Sequence, residues 1–231
     1  MSSCKSVKTP VESGIKLVKP QDKNYIPPIE LPYRELIGSL MYLGSRPYIS
    51  YAVSYLSQFN SCYDKTHWAA AKRVLRYLNA TKEFGLTFKK TGNKLVGYVD
   101  ADHAGDVCDR KSYTGFVFTL GGGPIAWESR KQTTVALSSA ESEYLALSEG
   151  CRESGFLTAL LAELTGINEI IELLSDSQSA IQIAENPMHH RRTKHIDVRH
   201  HYIQEMVRMG KVRLSYLPTN EMPADVFYER A

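Results

Sequence analysis

The stretch from Lys94 to Asp102 constrains the fold most, because it predicts a strand that ends in acidic residues. The side chains that favour β-structure within it are Leu95, Val96, Tyr98 and Val99. The run Asp-Ala-Asp-His-Ala-Gly from Asp100 onward is typical of a turn that ends a strand. Because strand ends that leave a core often carry chemistry, two interpretations stay open here, an acidic loop cap and part of an active site.

Composition excludes several classes of protein. The 231 residues are 43% apolar and 23% charged, which is ordinary for a globular chain with a real core. The net charge of +3 says little about partners. Four distant cysteines, Cys4, Cys62, Cys108 and Cys151, fit reduced thiols better than disulfides or a zinc site. The reduced thiols favour the cytoplasm or the nucleus, and without a signal-like start or a long apolar run we expect no membrane partner.

The first 93 residues divide into two predicted parts. Residues 1–31 hold four prolines and little periodicity, which predicts an irregular arm. Residues 32–93 show helical spacing in three short segments, which predicts a small α-rich segment. The turn cluster Thr91-Gly-Asn predicts a domain boundary at its end, so that residues 94–231 form a second domain.

Residues 94–231 predict strands and helices in a defined order. After the first strand come β-like runs at Tyr113–Leu120, Ile125–Trp127 and Thr133–Leu137, with a hairpin turn around Gly121–Pro124. Ser138-Ser-Ala-Glu141 matches a capping box and predicts a long helix that runs to Leu164 and is closed by Gly166. The remaining predictions are a strand at Ile170–Ser175, helices at Gln178–Glu185 and Lys194–Met209, a strand at Val212–Leu217 and a final helix opened by Pro223 and cut short at Ala231.

Acidic residues fall at the joints between these elements. Asp100 and Asp176 end two strands, Glu143 lies in the first turns of the long helix, and Asp225 starts the last helix. Carboxylates that converge repel one another unless cations lie between them, and hard divalent ions prefer oxygen ligands. Two Mg²⁺ ions therefore follow as occupants, and such a pair can activate water for attack on a phosphodiester.

Residues 189–213 form a basic stretch, with seven Lys and Arg side chains against only Asp197 and Glu205. Such a stretch beside an acidic metal centre is suited to contact phosphates. Five of the seven histidines lie there as well. They admit three interpretations: a general acid or proton shuttle, phosphate contacts, or plain surface residues.

Several motifs in chain order resemble the ribonuclease H domain of copia-type retrotransposon polyproteins. They are Tyr98-Val-Asp-Ala-Asp, Asp109-Arg-Lys-Ser, Gly122-Gly-Pro-Ile-Ala-Trp, Leu137-Ser-Ser-Ala-Glu-Ser-Glu-Tyr, Asp176-Ser-Gln-Ser-Ala, Arg192-Thr-Lys-His-Ile-Asp and Pro223-Ala-Asp. Upstream, Gly38-Ser-Leu-Met-Tyr-Leu, Arg46-Pro and the twelve residues from His67 resemble the C-terminal part of that family's reverse transcriptase.

The resemblance implies an α/β fold with a ribonuclease H-like mixed sheet flanked by helices, preceded by the α-rich segment. It implies an endonuclease that cuts the RNA strand of RNA–DNA hybrids with Mg²⁺, for which Mn²⁺ can substitute. The remaining reverse transcriptase segments of a polyprotein would be its partners.

The same resemblance assigns roles to single residues. The implied metal ligands are Asp100, Glu143, Asp176 and Asp225, with Asp197 as a rival for the fourth position. Glu141 lies about 200° round the helix from Glu143 and is given the capping role. Asp102 either supports the metal ligands without binding the metal itself or is an ordinary acidic residue of the loop. The expected nucleic-acid contacts are Arg191, Arg192, Lys194 and Arg199, and His195 is singled out as a proton-transfer candidate.

Two other functions compete with this one. Arg73-Val74-Leu75-Arg76 matches the Arg-x-Leu-Arg motif of secreted oomycete effectors, which would act on host proteins inside host cells and suppress host cell death. The other alternative is a non-catalytic module that binds hybrids. We also expect a fragment or gene remnant, whose shortened last helix puts the activity of the isolated chain in question.

Overall fold

The computed structural model describes residues 4–12, 14–22, 24–90, 92, 94–186 and 194–227. Its helices are α1 (Tyr33–Tyr42), α2 (Ser50–Ser57), α3 (Lys65–Ala80), α4 (Ser139–Thr165), α5 (Gln178–Glu185) and α6 (Lys194–Arg208). Its strands are β1 (Val96–Ala101), β2 (Tyr113–Leu120), β3 (Gly123–Lys131), β4 (Ile171–Ser175) and β5 (Val212–Tyr216). Short 3-10 helices occupy Pro47–Ile49, Thr219–Glu221 and Pro223–Phe227.

The five strands form one mixed sheet in the order β3-β2-β1-β4-β5. β1 pairs antiparallel with β2 and parallel with β4, and β4 pairs parallel with β5. β2 and β3 form the predicted hairpin. The predicted α/β fold, with a mixed sheet flanked by helices, is therefore confirmed. Because β1 and β4 are parallel neighbours, their carboxyl ends lie at one edge of the sheet.

α4 packs across the sheet and supplies much of its core. Side chains such as Tyr144, Leu147 and Cys151 are buried against Val99 and Leu173 of β1 and β4. The helix begins as predicted, because the Ser138 side chain accepts a hydrogen bond from the Glu141 backbone N–H. The Glu141 carboxylate reaches back to the backbone N–H of Leu137. At the other end Gly166 adopts a left-handed conformation with φ of 72° and closes the helix.

The arm and α1–α3 share a second hydrophobic cluster, which we call the helical cluster, as distinct from the sheet cluster under α4. The described part of the arm has no regular secondary structure, and its residues Val11 and Leu17 are buried against the helices. The Leu17 backbone N–H donates to the Tyr55 hydroxyl at 3.1 Å. Tyr113 of β2 also belongs to the helical cluster, so that cluster reaches the sheet. The domain boundary at residue 93 stays a prediction.

One expectation about secondary structure is wrong, and another is tested only in part. Residues 133–137 form no strand: the pairing of β3 with β2 ends at Lys131, and the side chains of Val135 and Leu137 are exposed. The segment instead crosses from the edge strand to the start of α4. The final element is a short 3-10 helix at Pro223–Phe227, and residues 228–231 lie outside the described part of the chain. Among the described residues, no helix combines the length and apolar character needed to cross a membrane.

Candidate functional site

Asp100 lies near the carboxyl end of β1, the central strand of the sheet. It faces Gly115 across the antiparallel ladder, and only 1% of its surface is exposed. Its Oδ1 accepts a hydrogen bond from the backbone N–H of Ala101 at 2.7 Å. β2 pairs with β1 at this residue, and β4 pairs with β1 up to Tyr98, so the carboxylate is held on a rigid support.

Glu143 reaches the same place from the first turns of α4. The cap at Ser138 sets where the helix begins, and so determines that Glu143 faces the sheet while Glu141 remains near the helix start. Glu143 is 8% exposed, and its Oε2 has no hydrogen-bond partner among the described residues. An unpaired buried carboxylate oxygen is costly, which is unusual outside functional sites.

Asp176 follows directly after β4 and is half-buried. Its Oδ2 accepts a hydrogen bond from the Thr219 hydroxyl at 2.5 Å. Thr219 begins the short 3-10 helix after β5, the parallel neighbour of β4. Because parallel strands end at the same edge, the segments that follow β4 and β5 meet there.

The structure brings these three acids together. Asp100, Glu143 and Asp176 each offer an oxygen, and the three oxygens lie within 4.8 Å of one another. Burial raises the pKa of Glu143, and the neighbouring charges of Asp100 and Asp176 raise it further. Carboxylate oxygens at this spacing are suited to hold a hard divalent cation, which would relieve their repulsion.

The fourth predicted ligand, Asp225, is not part of this cluster within the described residues. It lies in the 3-10 helix Pro223–Phe227, which packs against β2 beside Asp100: Gly115 approaches Ala224 and Phe227 closely. The 3-10 helix that carries Asp225 thus lies beside the strand opposite Asp100, although Asp225 is not one of the three grouped acids. The side chain of its rival Asp197 lies outside the described residues, so the choice between them stays a prediction.

The predicted nucleic-acid contacts are only partly described. Arg191 and Arg192 lie outside the described residues, and so do the side chains of Lys194 and His195 in α6. Arg199 is described, and its guanidinium donates to Glu149 of α4 at 2.8 Å while remaining about one-third exposed. This ion pair fixes α6 against α4.

The structure shows the contacts of Asp102, for which the sequence left two interpretations. Its Oδ1 accepts from the backbone N–H of Tyr113 at 2.7 Å, so the carboxylate ties the loop after β1 to the start of β2. Burial raises the pKa of Asp102 to about 6, against the opposing effect of the Tyr113 hydrogen bond. The loop-acid interpretation describes this contact best.

Thr219 is a residue that the sequence patterns missed. A hydroxyl in an exposed loop gives no periodic or compositional signal, and no motif pointed to it. The useful signal was the strand order, since a β5 that pairs parallel with β4 places its following loop next to Asp176.

The Arg-x-Leu-Arg tetrapeptide lies within α3. Val74 is fully buried, and the arm contacts the two arginines: Arg73 donates to the Thr9 hydroxyl at 3.1 Å and Arg76 to the Lys5 carbonyl at 2.8 Å. The tetrapeptide is therefore helical and hydrogen-bonded to the N-terminal arm in this structure.

Comparison with known proteins gives two kinds of relative. The chain is 42% identical over 234 residues to the Retrovirus-related Pol polyprotein from transposon TNT 1-94 of Nicotiana tabacum, a match that covers 98% of this chain and 18% of the polyprotein. It is 53% identical over 131 residues to Secreted RxLR effector protein 161 of Plasmopara viticola, which covers 55% of this chain and 92% of that protein. No family model matches the chain.

Among solved structures, LC11-RNase H1 in complex with RNA/DNA hybrid matches with a TM-score of 0.45 and 17% identity. That match covers 58% of this chain and 94% of the solved one. The chain itself spans less than a fifth of the length of the tobacco polyprotein.

Proposed function

The chain belongs to the copia-type retrotransposon Pol polyproteins, and from that membership we propose that it is a metal-dependent endoribonuclease. It would cleave the RNA strand of RNA–DNA hybrids during reverse transcription, inside the cell that carries the element. The observation that carries this proposal is the cluster of Asp100, Glu143 and Asp176 at the carboxyl edge of the sheet.

Divalent metal ions fit this donor set. All three side chains offer carboxylate oxygens, which Mg²⁺ and Mn²⁺ prefer. The buried Oε2 of Glu143 has no protein partner among the described residues, and a cation would satisfy it. We assign two Mg²⁺ ions, with Mn²⁺ able to substitute and Asp225 as the fourth ligand ahead of Asp197. When bound, such ions supply an activated water and stabilise the leaving oxygen of a phosphodiester.

The protein contributes to this mechanism by holding the carboxylates in fixed positions. Asp100 is held by the central strand and Glu143 by the capped helix, so these two buried carboxylates have little freedom. Asp176 is the most exposed of the three. A site of this kind works by holding reacting groups in place before the reaction begins.

We propose that the basic stretch holds the hybrid. Arg191, Arg192, Lys194 and Arg199 would contact backbone phosphates, and His195 would transfer a proton near the cleaved bond. Phosphate contacts position a duplex without reading its sequence, which suits an enzyme that cuts hybrids generally. The rest of the polyprotein would supply the polymerase that makes the hybrid.

The test is cleavage of a hybrid with a labelled RNA strand. The wild-type chain is expected to cut it in Mg²⁺ and not in EDTA, and Asp100→Asn or Glu143→Gln to lose at least about 100-fold in rate, since each removes a metal ligand. Glu141→Gln is the matched control, because the same change in the same helix keeps an acceptor for Leu137 and leaves the cluster intact. Hybrid binding without cleavage in Mg²⁺ or Mn²⁺ would contradict the enzyme and favour a non-catalytic hybrid-binding module.

A second candidate function rests on the 53% identity to an oomycete effector. Under this proposal the chain is secreted, enters host cells and suppresses host cell death, with Arg73-Val74-Leu75-Arg76 as its motif. Burial of Val74 and the arm contacts of both arginines weigh against an accessible motif. Equal suppression of host cell death by the wild type and Asp100→Asn would favour this function, because it would be independent of the metal cluster.

A further inference from the structure

We propose that Thr219 is a positioning residue whose hydroxyl orients the Asp176 carboxylate for metal binding. This inference rests on the proposed metal centre. The contact on which it depends joins Thr219 Oγ1 to Asp176 Oδ2 at 2.5 Å. A hydrogen bond from a hydroxyl to a carboxylate at this length belongs to the strong, charge-assisted class.

Asp176 needs such a partner more than the other two acids do. Asp100 and Glu143 are buried, so packing limits the rotation of their side chains. Asp176 is half-buried at the end of a strand, where packing leaves its carboxylate freer to turn. A hydrogen bond to Oδ2 fixes the plane of the group and leaves Oδ1 directed for a cation.

The loop that carries Thr219 is itself held in place. The Leu217 backbone N–H donates to the Ser175 carbonyl at 3.0 Å, which extends the pairing of β5 with β4 up to Asp176. The buried side chain of Met222 anchors the other end of the Thr219–Glu221 turn. The hydroxyl is therefore presented from a fixed backbone, and the same segment continues into the 3-10 helix that carries Asp225.

A comparison of Thr219→Val with Thr219→Ser tests the role. Valine keeps the shape and removes the hydroxyl, whereas serine keeps the hydroxyl. We expect Thr219→Val to weaken Mn²⁺ binding about 10-fold, measured by calorimetry on the whole chain, and Thr219→Ser to stay within about 2-fold of wild type. Hybrid cleavage should show the same order, with the loss in Thr219→Val partly restored at high Mn²⁺ concentration.

Ser215→Ala provides the matched control. The Ser215 hydroxyl donates to Glu172 at 2.6 Å, so it is another hydroxyl–carboxylate contact between β5 and β4, away from the acidic cluster. Ser215→Ala is expected to leave Mn²⁺ affinity unchanged. A general loosening of the two strands would instead lower Mn²⁺ affinity in Ser215→Ala and Thr219→Val alike, which would overturn a specific role for Thr219.

The remaining outcomes separate this inference from the proposed function. Wild-type Mn²⁺ binding that Asp100→Asn abolishes and Thr219→Val leaves intact would overturn the role of Thr219 alone. A wild-type chain that binds no Mn²⁺ would overturn the metal centre and the positioning role together. Loss of Mn²⁺ binding in both Thr219→Val and Thr219→Ser would show that the hydroxyl is not what matters, and would also overturn the inference.

Discussion

Glu143 shows the conflict between stability and function on the scale of a single residue. Its carboxyl group is buried beside Asp100 and Asp176. Burial raises its pKa most, and the charges of these two residues raise it further. One of its oxygens has no partner among the described residues. Without a cation, this arrangement opposes folding, because the charged form loses water and faces like charges.

Glu143→Gln is therefore expected to stabilise the metal-free chain by about 1 kcal/mol, in the range seen when a costly functional group is neutralised. The amide keeps the shape of the side chain and removes the negative charge. The free energy of unfolding in urea with EDTA measures the effect, and Glu141→Gln should stay within about 0.5 kcal/mol of wild type. If metal-free Glu143→Gln were less stable than the wild type, the buried carboxyl group of Glu143 would not oppose folding, and this prediction would be wrong.

The meeting of the three clustered acids could be predicted from the sequence, because each lies where local patterns place the end of a strand or the start of a helix. Asp100 and Asp176 end strands, and the capping residue Ser138 sets the position of Glu143. Thr219 could not be predicted, since its partner is 43 residues away and the pairing of β4 with β5 brings the two together. The structural contact of Asp102 likewise depends on where the chain returns as β2.

The C-terminal 3-10 helix, Pro223–Phe227, illustrates how elements depend on one another. It lies against β2 at Gly115, the residue opposite Asp100 in the ladder. A Cβ atom at Gly115 would be 2.6 Å from Phe227 Cβ and 3.1 Å from the Ala224 carbonyl oxygen. The bare glycine thus lets the element that carries Asp225 come close to the acidic cluster.

Gly115→Ala is expected to displace this 3-10 helix and to cost about 1–3 kcal/mol of stability, the usual range for overpacking. If Asp225 is the fourth ligand, the variant should also bind Mn²⁺ more weakly. Gly38→Ala in α1 is the control: a Cβ there meets nothing within 4 Å, and alanine favours a helix by about 1 kcal/mol over glycine. Urea unfolding of both variants checks the pair, and a Gly115→Ala chain as stable as wild type would refute the close packing.

Element types were predictable where the sequence carries its own boundary signals. α4 and α5 begin at side-chain caps, Ser138 and Ser177, and both helices match their predicted extents closely. Residues 133–137 have strand-like side chains, but a strand needs a neighbour, and the sequence does not say that β3 is the edge. Within the described residues the last element is the 3-10 helix Pro223–Phe227, whose packing on β2 no local pattern in the sequence indicates.

On the scale of the whole molecule, Lys131 links the helical cluster to the sheet. Its Nζ lies 2.7 Å from Asp106, 2.9 Å from Asp109 and 2.9 Å from the side-chain oxygen of Gln58, the residue after α2. The Asp106 side chain is 1% exposed. Lys131 ends β3, so this network ties the sheet and its loop to the helices that precede it.

The pKa shifts of Asp106 and Lys131 predict the pH range in which their ion pair stabilises the fold. Burial alone would raise the pKa of Asp106, but the hydrogen bond from Lys131 lowers it below its usual range. Burial alone would lower the pKa of Lys131, but Asp106 and Asp109 raise it. The Asp106 contribution is present above its unfolded pKa of about 3.9 and is lost as the pH falls through its lower folded pKa. The Lys131 contribution is present below about pH 10.4 and is lost as the pH rises through its higher folded pKa.

Lys131→Met should therefore destabilise the chain at pH 7 by about 3 kcal/mol, because it leaves the buried Asp106 charge without its cation. Lys82→Met is the matched control: Lys82 and Glu83 form an exposed pair at 4.0 Å, and its loss should cost less than about 0.5 kcal/mol. Urea unfolding from pH 7 down to acid measures both variants. The stability deficit of Lys131→Met is expected to shrink as the pH falls through the folded pKa of Asp106, since a protonated Asp106 leaves no unpaired buried charge.

A stability deficit that stays constant with pH would contradict this electrostatic role. It would mean that Lys131 stabilises the contact between the helices and the sheet by packing its alkyl chain.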